Sequence, residues 1–380
     1  MRQALIFLTL CIFIFHIQAQ SDTKVLNVSL WNPVSTVPYD FNNTNIISIG
    51  LPQSKVNDLK GVSINAIGGV TTGKLHGIQI AGFHSKTEGP GEGLTFAGLY
   101  NIHKASFTGF SGGGLMNLVM VNSHGVQLSA VQNITMFDVS GLQLASLMNV
   151  AGNTLSGMQI SLGFNVATYA QSSVQLASIV NFGLERFSGV QVAAFNYATD
   201  MNGLQLGVVN FSRRHKGVQI GIANYSADST VLKLGLISIS PRTKIRPVVY
   251  YSNLATLNTG MRFMNRYTYT IFGIGTPYDA PHTTSSGLLF YRLGIYQTLG
   301  DFTFSADAGI SYITKFLDQH EKNALSMEGR FNLEYAFNKS ISLMCSGGYS
   351  VRKFFAQYKP ADLKPIVEFG LILPNLLRSK

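Results

Sequence analysis

Residues able to do chemistry are few in this chain, and they do not gather. Asp138, Asp200, Glu185 and Arg186 lie scattered among uncharged segments, whereas acid–base cleavage of a polysaccharide needs carboxylates or basic groups collected at one place. Glu185 and Arg186 are chain neighbours and read as a solvated pair on a turn. His76 and His124 recur at one phase of a repeat but stand 48 residues apart. If the repeats stack, three spacings of about 4.8 Å put them about 14 Å from each other, too far to share a metal. His84, His103 and His215 have no partner at ligand spacing and are expected in turns or at the surface. The run Gly109, Gly112, Gly113, Gly114 lacks the Lys-Ser or Lys-Thr that completes a phosphate loop. No nucleophile elbow is recognised. The expectation is a non-enzyme with no catalytic residue, no metal and no cofactor.

What the sequence does contain is periodicity. Gly61, Gly77, Gly93, Gly109, Gly125, Gly141, Gly157, Ser173 and Gly189 fall 16 residues apart, Asn45 extends the register backwards, and the spacing then shortens to 14 at Gly203, Gly217 and a degenerate unit at Val231. These positions read as turn-like starts. At the third place of the unit stand Gln79, Gln127, Gln143, Gln159, Gln175, Gln191, Gln205 and Gln219, with Ser63, Thr95 and Ser111 filling it otherwise. Near the midpoint stand Asn101, Asn117, Asn133, Asn149, Asn165 and Asn181, then, one place earlier, Asn196, Asn210 and Asn224. Identity at one phase is what stacked coils require, because like amides then pair along the axis as ladders.

Alternation of Leu142 and Leu144 against Gln143 has the period of a strand with one buried face. A 16-residue hairpin leaves about six residues per strand, short of the roughly 9–11 that span a bilayer. The repeats therefore predict a β-solenoid of about twelve 16- and 14-residue coils, presenting a Gln- and Asn-lined face. Both unit lengths are even, so the inward set stays inward where the coil shortens.

Beyond residue 245 the repeat gives way to longer alternating segments, among them Gly287 to Thr298, Phe302 to Thr314 and Leu325 to Phe337. Phe302, Phe304, Ala306, Ala308, Ile310 and Tyr312 share one parity, and Met327, Phe331, Leu333 and Tyr335 alternate with Glu328, Arg330, Asn332 and Glu334. Roughly eight such strands predict a small antiparallel barrel, apolar set to lipid and charged set to the lumen. Arg292, Glu328, Arg330 and Glu334 are expected to form internal networks there. A soluble β-sandwich is the alternative for this segment.

Export is read from Arg2, the apolar stretch Ala4 to Phe15, and Ile17-Gln18-Ala19 before Gln20, the pattern of a signal peptide. Cys11 lies inside that stretch, which leaves Cys345 alone in the mature chain and rules out an internal disulfide. The formal net charge is +10 over 380 residues with only 12% charged. Its basic residues are dispersed, mostly after Pro241, which suits anionic lipid head groups and excludes nucleic acid as the partner. The organisation expected is signal peptide 1–19, leader or cap 20–44, solenoid 45–244 and barrel-like domain 245–380, all-β throughout.

The units Gly203-Leu204-Gln205-Leu206-Gly207-Val208-Val209-Asn210 and Gly217-Val218-Gln219-Ile220-Gly221-Ile222-Ala223-Asn224 resemble the Gly-φ-Gln-φ-Gly-φ-φ-Asn repeats (φ, apolar) of bacterial surface-repeat-containing proteins. The resemblance covers about Asn45 to Asn224. It implies an exported envelope component, often with a barrel-like tail, and no assigned reaction. One departure is the polar tail to Lys380 after Phe369, where outer-membrane barrels commonly end on an aromatic residue. The function expected is a structural or interaction protein at the outer membrane or cell surface of a Gram-negative cell. Its partners would be outer-membrane lipid and an envelope or host glycan or protein. Two other readings are a glycan-binding or glycan-cleaving solenoid, suggested by the amide rows, and a single large transmembrane barrel.

Overall fold

A computed structural model describes residues 22–31, 34–228, 231–277, 286–315, 324–338, 340–354 and 362–376. The signal-peptide segment lies outside the described residues. The chain is all-β, with about twelve turns of β-solenoid and a closed eight-stranded antiparallel barrel. Two compact units divide after Gly203, inside the repeats and not at the end of the last coil.

In the first unit the coils from Leu75 to Ala145 lay seven-residue strands alternating with four-residue strands on the preceding coil, all parallel, and from Met148 the two merge into continuous strands of 12 to 14 residues. Ser123–Ser129 pairs with Val139–Ala145, placing Gly125 against Gly141 and Gln127 against Gln143. Gln132–Thr135 pairs with the start of Met148–Ser161, placing Asn133 against Asn149. Parallel pairing at an offset of one repeat is the geometry that rewards identical side chains at one phase. Thr23–Trp31 stacks parallel on Thr44–Gly50 and turns back at Val34–Ser35, so the leader occupies the first edge that a solenoid otherwise leaves unpaired.

The repeat glycines are not turns. Gly141 sits in the middle of Val139–Ala145 with φ +131°, and a Cβ built there would stand 2.1 Å from the carbonyl oxygen of Gly125. The bend is made inside the strand, at a backbone conformation and an approach that only glycine tolerates.

The second unit holds the shorter coils and the barrel. Val209–Ile220 pairs parallel with Ala223–Ser226 and Leu232–Leu234, continuing the amide register at Asn210 and Asn224. Eight antiparallel strands follow: Lys244–Ser252, Ala255–Met264, Thr268–Pro277, Ser286–Leu299, Phe302–Lys315, Ala324–Ala336, Ser342–Phe354 and Asp362–Ile372. Pairing of the last with the first, Ile372 against Val248, closes the ring. The strands run from 9 to 14 residues, long enough to cross a hydrocarbon core when tilted. Among the described residues no helix is long and apolar enough to cross a membrane.

Candidate functional site: amide core, apolar exterior and charged lumen

The amide rows do not form a face. Gln79, Gln127, Gln143, Gln159, Gln175, Gln191, Gln205 and Gln219 are buried, as are Asn101, Asn117, Asn133, Asn149, Asn165, Asn181, Asn196, Asn210 and Asn224. The expected Gln- and Asn-lined face is thus replaced by an amide interior, while Leu144, Leu128 and Ile80 of the same strands point outward at 36–41% exposure. The physical reason lies in the stack. A primary amide carries donors and acceptors, and one coil spacing lets each amide satisfy the next, so burying the row costs little.

The two ladders run in opposite senses. Gln143 Nε2 donates back to Gln127 Oε1 at 2.6 Å, Gln159 to Gln143 at 2.8 Å, Gln175 to Gln159 at 2.8 Å and Gln191 to Gln175 at 2.9 Å. Asn101 Nδ2 donates forward to Asn117 Oδ1 at 2.8 Å, and the pattern continues through Asn133, Asn149, Asn165 and Asn181 to Asn196. In the second unit Gln219 donates back to Gln205, and Asn210 forward to Asn224, both at 2.8 Å. Because the two rows of amide dipoles run in opposite senses, they offset one another in part along the axis. Gln79 stands apart from these runs and binds Gly69 O, Ser85 and Thr71 within its own neighbourhood.

One rung beyond Gln219 the register brings Lys233 to the Gln place. Its ammonium donates to Asp228 O at 3.1 Å, and burial pulls its pKa down to about 8. A third interior row escaped the sequence reading: Leu59, Leu75, Phe107, Val139, Leu155 and Phe187, at the fifteenth place of the unit, are buried and form the solenoid's apolar clusters. Its 16-residue recurrence was a visible signal, but Gly91, Ser123 and Gln171 interrupt it.

His103 and His215 are buried and not in surface turns. His103 stacks on Phe107 at 3.9 Å between centroids, and its Nε2 lies 3.3 Å from Ser111 Oγ. Ser111 also occupies the serine place of Gly109-Phe110-Ser111-Gly112-Gly113, a Gly-x-Ser-x-Gly pattern that the sequence reading passed over. The pattern carries no elbow here. It lies along the strand Phe107–Gly113, Ser111 is closed to solvent, and its hydroxyl donates to Asn117 Oδ1. His76 meets Glu92 one coil on at 3.2 Å, and His84 stacks on Tyr100. Asp138 accepts from Asn153 and from the Thr154 amide. Among the described residues no three metal-ligating side chains converge.

In the barrel the parity of the strands sorts charge inward. Arg292 grips Glu368 with two bonds of 2.9 and 3.0 Å. Arg330 meets Asp307 at 3.0 Å, Glu368 at 3.3 Å and also Glu328, and Arg262 meets Glu334 at 2.5 Å. Tyr269 and Asn332 donate to the other oxygen of Asp307. Every one of these groups is nearly closed to solvent, and the guanidinium of Arg262 lies 4.0 Å over the Tyr269 ring. A buried cation is tolerable only when paired and hydrogen-bonded in this way. Outward stand Ile295, Phe304, Met327, Phe331, Leu333, Tyr349, Leu363 and Phe369, with Phe331 exposed to 78%.

Leu232 and Leu234 of the last coil line a groove of about 490 Å³ with Leu293, Ile295 and Phe331 of that outer wall. Tyr291 donates to Gly235 O at 3.0 Å, and Thr270 to Leu236 O at 3.3 Å. Within the second unit, the terminal coil is therefore seated on the barrel wall. Compared with known proteins, the chain matches no family model, no curated protein and no solved structure.

Proposed function

We propose that this chain is a non-enzymatic component of a Gram-negative outer membrane, a repeat solenoid held in the envelope by its barrel and serving as a structural or interaction element. One observation carries the reading: the barrel turns its apolar side chains out and its charged side chains in. A water-soluble barrel does the reverse. Phe331, Met327, Ile295 and Leu363, exposed to between 62 and 78%, would each lose on the order of 2 kcal/mol of burial in water and recover it in lipid. A closed ring without free edges is the only sheet that hydrocarbon accepts, and its polar lumen takes in Arg262, Arg292 and Arg330 with their carboxylates.

The lumen is filled by Tyr250, Tyr269, Phe290 and the ion pairs, which favours anchoring over conduction. On the solenoid, the buried amides offer no hydroxyl-binding row to a glycan. The outward rows Ile64, Ile80, Phe96, Leu128 and Leu144, with Ile67, Phe83, Leu115 and Leu147, instead favour an apolar contact, since contiguous exposed apolar surface marks a binding site.

Separation of cell membranes on a density gradient tests the reading. Recovery in the outer-membrane fraction, resistant to alkaline carbonate, is expected. Recovery as a soluble periplasmic or secreted protein would contradict it.

A further inference from the structure

We propose that the cavity at the barrel rim, where the last coils lead into the first barrel strand, is a binding site for a phosphate-bearing group. The cavity, about 700 Å³, is lined by Arg213 and Arg214 from the strand Val209–Ile220, by Arg242 and Lys244 at the entry to the barrel, and by Arg266 in the turn before Thr268–Pro277. Asp228 is the one carboxylate among its lining residues, so formal charge there is 5 − 1 = +4. Elsewhere in the second unit the pattern is different. Arg262, Arg292 and Arg330 lie on strands inside the lumen, whereas the rim cations come from three separate stretches of chain around one space.

Four of those five cations are arginines. A guanidinium presents a planar fork that matches two oxygens of a phosphate and stays charged at any physiological pH. The setting has a polar floor as well, since Ser240 and Asn265 line the cavity with Tyr296. Asn265 is held in place by accepting from Thr243 at 2.8 Å and donating to Ser238 O at 3.3 Å. The volume exceeds what one inorganic phosphate fills, and this favours a phosphate carried on a larger body. Basic pockets at this level of a membrane protein take lipid head groups, and the same chemistry would hold a soluble sugar phosphate or free phosphate.

The test uses the full chain in neutral detergent micelles, titrated calorimetrically with short-chain phosphatidylglycerol, with phosphatidylcholine of equal chain length, and with inorganic phosphate. Wild-type protein is compared with R213Q/R242Q/R266Q and with K60Q/K74Q/K353Q, which removes equal charge elsewhere; circular dichroism melting checks that each variant is folded. Saturable binding that falls at least tenfold in the rim variant and holds within twofold in the control is expected. Phosphatidylglycerol binding well above that of inorganic phosphate assigns the group to lipid, and comparable binding of the two assigns it to soluble phosphates. No saturable binding of either, equal binding of phosphatidylcholine, or equal loss in both variants would overturn the site. The proposal stands apart from membrane anchoring, since a soluble protein could bind phosphate at the same cations.

Discussion

Gln159 reaches back to Gln143 at 2.8 Å and is itself reached by Gln175 at 2.8 Å, so each amide in the row is at once donor and acceptor. Replacement by leucine orphans Gln143 Oε1 and removes the Gln175 acceptor. At about 1–3 kcal/mol per unsatisfied buried group, Q159L should lower stability by about 2–5 kcal/mol. L144Q, on the outward side of the neighbouring strand, should change it by less than about 0.5 kcal/mol. Urea unfolding of both variants makes the comparison. Costs in the reverse order would mean that the inward and outward sets are exchanged.

His103 supplies a pH dependence. Burial pushes its pKa down to about 3 from an ordinary 6.5, so the unfolded chain binds a proton at this residue that the folded chain refuses. Between these values stability rises with pH. The contribution is complete above about 6.5 and is lost as pH falls toward 3. At pH 5 the loss is about 2 kcal/mol. The preceding coil carries Thr87 at the same place and the coil two further on carries Thr135, and H103T should flatten the unfolding midpoint across this window. An unchanged slope would place the acid sensitivity elsewhere.

Arg330 is shared by Asp307, Glu328 and Glu368. R330M leaves three carboxylates crowded without it, and removing one partner of a buried pair costs about 3–5 kcal/mol. The expected readout is loss of the compact, fast-migrating form in unheated gel samples, with the outward substitution Phe331→Leu retaining it. Equal migration of R330M and wild type would show that the pair does not hold the barrel.

The proposed membrane location carries a sidedness that the connections predict. Lys244 and Ile372 share a rim with the links 265–267, 300–301 and 337–341, while 253–254 and the three longest connections, 278–285, 316–323 and 355–361, join strands at the other rim. Outer-membrane barrels carry short turns on the periplasmic side and longer loops outside. In a C345S background, a cysteine at Asn253, exposed in the link 253–254 at that other rim, should react with a membrane-impermeant maleimide on intact cells, and one at Arg213 only after the outer membrane is opened. Labelling of both on intact cells would put the last coils outside.

Much of this fold was legible in the sequence, and for a definite reason. Parallel stacking repeats an environment every coil, so Gln143 and Gln159, or Asn149 and Asn165, must be alike, and identity at one phase betrays the coil length. Barrel strands announced themselves by length and by the parity of Phe331 against Arg330. What parity cannot tell is which set faces in. Leu144 and Gln143 alternate either way, and the choice is made by whether a buried amide finds its neighbour one coil on. Arg262 and Glu334 could not be paired beforehand, because 72 residues separate them and only ring closure brings them together. The rim cations were equally hidden, since Arg213, Arg242 and Arg266 come from different stretches.

The central claim, that the barrel's outer wall lies in hydrocarbon, is tested most directly by a single reporter. Trp31 is the chain's one tryptophan; W31F combined with F369W moves it to the outward face of Asp362–Ile372, away from the seat of the last coil. In vesicles containing lipids brominated along the acyl chains, the account predicts strong quenching of that tryptophan and a blue-shifted emission. Emission typical of water, unaffected by the brominated chains, would contradict it.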